Sequence, residues 1–243
     1  MQENEQLELQ VGVAKVSKYA TRESGDTLEL TERPHGGLSI VLADGQRSGR
    51  AAKLISNLVA RKAISLLAEG VRDGAAARAA HDYLRTHREG QVSAELVIVS
   101  LDLVTRTLVI SRNSHCPVLV VDRDGLRALN APSEAIGFYA RTKPVITELA
   151  VAPNTWVVVF TDGILDAGQR FGASFDVAEL VADFIARGGD SAQALADAIL
   201  ARAVELDQHR PQDDMSMLVL ALLPSVAIDT ARRLSVRFPL PSF

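Results

Sequence analysis

The sequence predicts an α+β fold of stacked layers, and three observations carry that reading. Apolar residues recur at every second position in short β-rich runs, and at every third or fourth position in longer segments. The two kinds come in blocks: strands, a helical pair, more strands, a second helical pair and a closing strand. No obvious linker interrupts that order, so residues 1–243 read as a single domain with ample core.

Taken in order, Leu7, Leu9, Val11 and Val13 alternate with polar neighbours, the period of a half-buried strand. Leu28–Thr31 and Leu38–Ala43 are the next two strands, joined by the turn Pro34-His35-Gly36-Gly37. From Gly49 the period changes. Ile55, Leu58, Val59, Ala63, Leu66 and Leu67 trace one face of a long helix that Gly70 ends. Asp73 is placed to cap a second, alanine-rich helix with Ala76, Ala80, Tyr83 and Leu84 on one face. Glu95–Leu103, Thr107–Ser111, Pro117–Val121 and Leu126–Leu129 then read as an antiparallel meander, with Asp124-Gly125 as a hairpin signal. Val145–Leu149 and Thr155–Phe160 extend it, and Ala131–Lys143 is the loop before them. Asp176 and Glu179 form a capping-box pattern, and Ser191 opens a further helix whose face is Leu195, Ala198, Ile199, Ala203 and Leu206. Met215–Leu220 is the closing strand. Leu234, Val236, Phe238 and Leu240 alternate once more, which predicts an added edge strand within 231–240, where Pro239 fits only an edge or a terminus.

Composition excludes several classes of function. With 47% apolar and 23% charged residues and no apolar run approaching the ~20 residues needed to span a bilayer, the chain reads as soluble and free of the membrane. Its polar, acidic start is the opposite of a signal peptide, and its single cysteine suits a reducing cytoplasm. A net charge of -4 gives no basic field for nucleic acid, and no zinc-finger or aromatic-basic RNA motif is present. Cys116 lacks the Cys-x5-Arg phosphate cradle, since Asp122 stands where the arginine belongs, and reads as a small buried residue. Gly45–Ala51 has neither the spacing nor the lysine of a nucleotide-binding loop. His35, His81, His87 and His209 lie apart, without zinc-ligand spacing.

What remains is a set of acids at strand ends. Leu38–Gly49 is an apolar run that stops at Asp44-Gly45 and passes into a helix; Val157–Gly163 repeats the pattern at Asp162-Gly163. Asp213-Asp214 stands just before the closing strand, and Asp26 just before Leu28. Carboxylates held at strand ends by a rigid sheet, with glycine permitting close backbone approach, suit a hard divalent cation. Arg47, Arg50 and Lys53 flank this edge and read as a solvated helix face, with contact to a phosphate as the second reading.

Four motifs, Gly25-Asp26, Ala43-Asp44-Gly45 with Gly49, Thr161-Asp162-Gly163 and Asp213-Asp214-Met215-Ser216, together resemble the metal-dependent serine/threonine phosphatases of the protein phosphatase 2C type, in their bacterial SpoIIE-type branch. A weaker match is Asn113-Ser114-His115-Cys116-Pro117, similar to that family's Asn-Ala-Gly-His-Pro turn. The resemblance spans roughly Val11 to Leu222 and implies a four-layer α-β-β-α sandwich of antiparallel sheets flanked by helix pairs. It implies two divalent cations, Mn2+ or Mg2+, held by Asp26, Asp44, the Gly45 carbonyl, Asp162 and Asp213, with Asp44, Asp162 and Asp213 as the catalytic set. Asp214 is left between support for a ligand and a strand-end cap; Thr161 and Ser216 would orient carboxylates. The implied substrate is phosphoserine or phosphothreonine on a bacterial regulatory protein such as an anti-sigma-factor antagonist or another STAS-domain protein. The alternative is a weak pseudophosphatase or phosphoprotein-binding module of the same fold. Two departures stand out: Ser48 where many relatives carry His, and Gly25 where the eukaryotic branch has an acid, which predicts one loosely held ion.

Overall fold

The computed structural model describes residues 6–225 and 231–239. In chain order the elements are β1 (Leu7–Val16), β2 (Asp26–Glu32), β3 (Gly37–Gly45), α1 (Gly49–Ala68), α2 (Asp73–Arg88), β4 (Ala94–Asp102), β5 (Thr107–Asn113), β6 (Val118–Asp122), β7 (Gly125–Leu129), β8 (Val145–Ala150), β9 (Thr155–Phe160), a short α3 (Asp162–Leu165), α4 (Val177–Ala186), α5 (Ala192–Leu206) and β10 (Met215–Pro224).

The strands form two antiparallel five-stranded sheets, ordered β1-β10-β9-β6-β7 and β2-β3-β4-β5-β8. Strand alternation decides which side chains fill which layer. Ile40 and Leu42 of β3, Val97 and Val99 of β4, Val157 and Val159 of β9, and Leu218 and Leu220 of β10 share the core between the sheets. The intervening Val41, Ala43, Leu96 and Ile98 pack under α1 and α2, on Ile55, Val59, Ala63, Ala80 and Leu84. On the opposite side Trp156, Val158, Phe160, Met217 and Val219 pack under α4 and α5. The result is the α-β-β-α sandwich.

Three local readings change. The predicted meander is divided: β4 and β5 lie in one sheet, β6 and β7 in the other, β8 returns to the first and β9 to the second. Strands with both faces buried carry the same apolar signature in either sheet, so the pattern identifies strands without assigning their neighbours. Asp73 is not a cap: Arg72 holds that position, and the buried Asp73 carboxylate instead accepts from Ser100 Oγ and lies 3.6 Å from Arg33 Nη1. The capping box at Asp176 and the Ser191 cap form as predicted, accepting from the amides of Glu179 and Ala194 at 3.0 and 3.2 Å.

The predicted C-terminal strand is the third correction. Residues 231–239 form no strand, and Leu234, Val236 and Phe238 are 80%, 87% and 80% exposed; Leu240 lies outside the described residues. Alternation makes a strand only where a sheet edge accepts its backbone, and here an exposed ion pair joins Arg232 to Glu32 on β2. Replacing Leu234, Val236 and Phe238 together by serine is therefore expected to change the unfolding free energy by less than about 0.5 kcal/mol per site. Chemical denaturation of the full chain checks this; a loss of several kcal/mol would show that the segment packs.

Candidate metal centre

The register of one sheet builds the first half of the site. Asp26 on β2 pairs with Asp44 on β3, and Asp44 pairs with Glu95 on β4, so three acids stand in a row across adjacent strands. Side chains directly opposite one another share a face, and like charges there repel. The second half comes from the other sheet. β9 and β10 are antiparallel neighbours, which brings Asp162, just beyond β9, to the same edge as Asp213 and Asp214, just ahead of β10.

Asp26 joins the two halves. Its side chain is fully buried, and its Oδ2 accepts from Ser216 Oγ at 2.6 Å and Thr161 Oγ1 at 3.2 Å. Thr161 and Ser216 thus orient a carboxylate, as expected. The other oxygen, Oδ1, is buried without a donor. The Asp26 and Asp44 carboxyls, opposite each other in the ladder, act on each other's ionisation, so a proton or a cation between them would relieve the crowding.

Electrostatics lead to the same conclusion. Burial, then the charges of Asp26, Asp162 and Glu95, pushes the Asp44 carboxyl far above its ordinary range. Burial, then Asp213 and Glu95, pushes Asp162 up to about 6. Burial also raises Asp26, against the opposing hydrogen bond from Ser216. Two lysines stand close by without neutralising the carboxylates directly. Lys15 and Lys53 both donate to the Asp26 carbonyl, the latter at 2.6 Å, and burial brings Lys15 down to about 8. Lys53 also donates to Thr27 Oγ1 at 3.0 Å, so it braces β2 rather than serving a solvated face. A set of all-oxygen donors with an unsatisfied buried carboxylate oxygen fits hard divalent cations.

Asp214 resolves toward the strand-end cap. Its Oδ1 accepts from the Lys18 amide at 2.9 Å and its Oδ2 from the Gly25 amide at 2.8 Å. It therefore fixes the segment leading into Asp26. Gly25 has a packing reason: a Cβ there would lie 2.7 Å from Ala52 Cβ and 3.1 Å from Asp214 Oδ2, so no acid fits that position without a shift. At Gly45 a Cβ would meet the Ala52 carbonyl oxygen at 2.1 Å, which is how α1 comes to sit hard against the Asp44 turn.

Glu95 is the residue that sequence reasoning missed, and it holds His115 of the weaker turn match. Glu95 Oε2 accepts from Ser114 Oγ at 2.5 Å, and its Oε1 accepts from the His115 amide at 3.1 Å and contacts His115 Nδ1. A lone charge inside the apolar run Ala94–Leu101 was the available signal. Cys116 is buried, and burial raises its thiol, which removes it as a nucleophile.

Residues 34–223 match the family model described as Stage II sporulation protein E (SpoIIE), and the chain belongs to that family. It is similar to the PP2C phosphatase domain, with a fragment of the regulatory domain, of the cell fate determinant SpoIIE from Bacillus subtilis: TM-score 0.74 and 17% identity over 88% of this chain. The match spans 63% of that chain. RsbX in complex with magnesium matches with TM-score 0.69 and 14% identity over 89% of this chain and 98% of its own. The catalytic domain of the serine/threonine protein phosphatase PstP, in complex with two manganese ions, matches with TM-score 0.67 and 14% identity over 90% of this chain and 100% of its own. A comparison with curated proteins found no match. The fold is thus that of the PP2C-type phosphatases. Among the described residues no helix is long and apolar enough to cross a membrane.

The carboxylate cluster makes a stability prediction for chelator-treated protein. A carboxyl whose folded pKa is raised stabilises the fold below its unfolded value and loses that contribution as pH rises through the folded one. For Asp162 that window runs from the ordinary carboxylate value of 3.8 to about 6. Asp44→Asn removes the carboxyl that has to take up a proton on folding at neutral pH, so its melting temperature there should rise by a few degrees in chelator, and less at pH 4. Thermal melts at both pH values test this, and a variant that melts lower at neutral pH would refute the crowding.

Proposed function

We propose that the protein is a metal-dependent serine/threonine phosphatase, a phosphoric monoester hydrolase acting on a phosphorylated regulatory protein. The observation that carries the reading is the convergence of Asp26, Asp44, Asp162 and Asp213 from two sheets on one edge, around a buried carboxylate oxygen that lacks a donor. Asp44, Asp162 and Asp213, with the Gly45 carbonyl and Asp26, would hold two divalent cations, Mn2+ or Mg2+. When bound, such a pair supplies an activated water and offsets charge on the phosphoryl oxygens. The chain's own part is to hold those donors still: Ser216 and Thr161 fix Asp26, Asp214 fixes the approach to it, and Glu95 crowds Asp44. With glycine at position 25, one cation has fewer charged donors and should bind more weakly than the other. The intact set of acids weighs against a pseudophosphatase or a pure binding module.

The substrate class follows from the resemblance to SpoIIE-type phosphatases: phosphoserine or phosphothreonine on an anti-sigma-factor antagonist or related STAS-domain protein, met in the cytoplasm. The Ala131–Lys143 loop is the docking surface we assign to it. Phe138 and Tyr139 are 54% and 51% exposed and stack edge to face at 5.2 Å, and Arg85 Nη1 donates to the Phe138 carbonyl at 2.5 Å. The loop is tied to the metal edge, because Ile136 bridges to Ala94, which pairs with Gly45. Exposed aromatics of this kind are enriched at interfaces.

Asp44→Asn and Asp162→Asn should each lower manganese-dependent hydrolysis by more than about a hundredfold, since even the partners that merely orient a ligand are worth about 10–100-fold. Undiminished hydrolysis of an aryl phosphate in either variant would refute the site. The pair Phe138→Ala, Tyr139→Ala should raise KM for a phosphorylated STAS protein and leave aryl phosphate hydrolysis unchanged. Equal losses on both substrates would point to damage to the fold, and no loss on either would remove the loop from recognition.

A further inference from the structure

Beside the carboxylate edge lies a second group of donors of a different chemistry. Ligand atoms of Glu95, His115 and Cys116 lie within 4.8 Å of one another. Both oxygens of Glu95 are engaged by Ser114 and His115, so Glu95 orients the group and the free donors are those of the other two residues. With Nδ1 held against Glu95, the imidazole turns Nε2 toward Cys116 Sγ at 3.9 Å. Two ligands at adjacent corners of a tetrahedral zinc ion, at the usual Zn–N and Zn–S lengths, are separated by about 3.6 Å.

From this geometry we propose that His115 Nε2 and Cys116 Sγ, oriented by Glu95, form a binding site for a thiophilic divalent cation of the zinc class. Sulfur with imidazole selects such an ion over the hard cations that take oxygen donors. A carboxylate holding the far ring nitrogen of a ligating histidine is the usual supporting arrangement, since it fixes the tautomer and makes Nε2 more basic. His115 is 56% exposed, which gives an ion a route from solvent to the buried sulfur. Cys116 keeps its proton in the absence of a metal, and coordination releases it to solvent. The assignment of the two ligands does not rest on the phosphatase reading.

The test is titration of the chelator-stripped full chain with Co2+, whose thiolate complexes absorb in the near ultraviolet, followed by displacement with Zn2+. A thiolate-to-cobalt band should grow to one equivalent, disappear on Zn2+ addition and be absent in Cys116→Ser. In His115→Ala, a change at an exposed residue that spares the core, and in Glu95→Gln, Co2+ should bind about 10–100-fold more weakly. No band in the native chain, an equal signal in Cys116→Ser, or unchanged affinity in His115→Ala would overturn the site. None of these readouts involves hydrolysis, so their failure is distinct from failure of the phosphatase reading.

Discussion

Asp26 and Asp44 face each other across a β-ladder that cannot slip, and the rest of the site depends on that confrontation. A one-residue shift of β3 would turn Ile40 and Leu42 out of the core between the sheets, so the apolar pattern locks the acids opposite one another. Like charges so placed destabilise a sheet, and burial removes the water that would screen them. Positive charge is close by, yet Lys15 and Lys53 donate to the Asp26 carbonyl, and Lys15 offsets the burial of the Asp26 carboxyl only in part. The repulsion is therefore left for something other than a side chain to relieve.

The second sheet fixes this tension in space. Thr161 and Ser216 reach from β9 and β10 across the seam to one Asp26 oxygen, leaving the other bare. Asp214, which could have been a further ligand, spends both oxygens on the backbone ahead of Asp26. Gly25 follows from that clamp, because a side chain there would strike Ala52 and Asp214 together. The missing acid at position 25 is thus a packing consequence.

Much of this was legible in the sequence. Asp44, Asp162 and Asp213 advertise themselves because a charge next to an apolar run marks a strand end, and the helices show through period, caps and Gly70. Glu95 was illegible because it stands inside the strand pattern, and its position opposite Asp44 is a property of register alone. Sheet membership was hidden for a related reason. β9, with every residue buried, reads the same whichever sheet receives it. The tail was misread in the opposite sense, since Leu234, Val236 and Phe238 alternate as a strand would but find no edge. Alternation describes a surface; pairing needs a second one.

The arrangement separates chemistry from recognition in physical terms. The carboxylates sit at the ends of strands whose flanking residues are almost all buried, so they move only if the core moves. Phe138 and Tyr139 are exposed on a loop, where substitutions cost the core little. The two regions are nonetheless mechanically joined, because Ile136 is buried and bridges to Ala94, and Ala94 lies beside Gly45 in the ladder that carries Asp44. A protein docked on the loop, as proposed, would rest against an anchor one strand removed from the carboxylate edge. Selectivity can change at the loop tip without disturbing the carboxylates, provided that the Ile136 anchor stays in place.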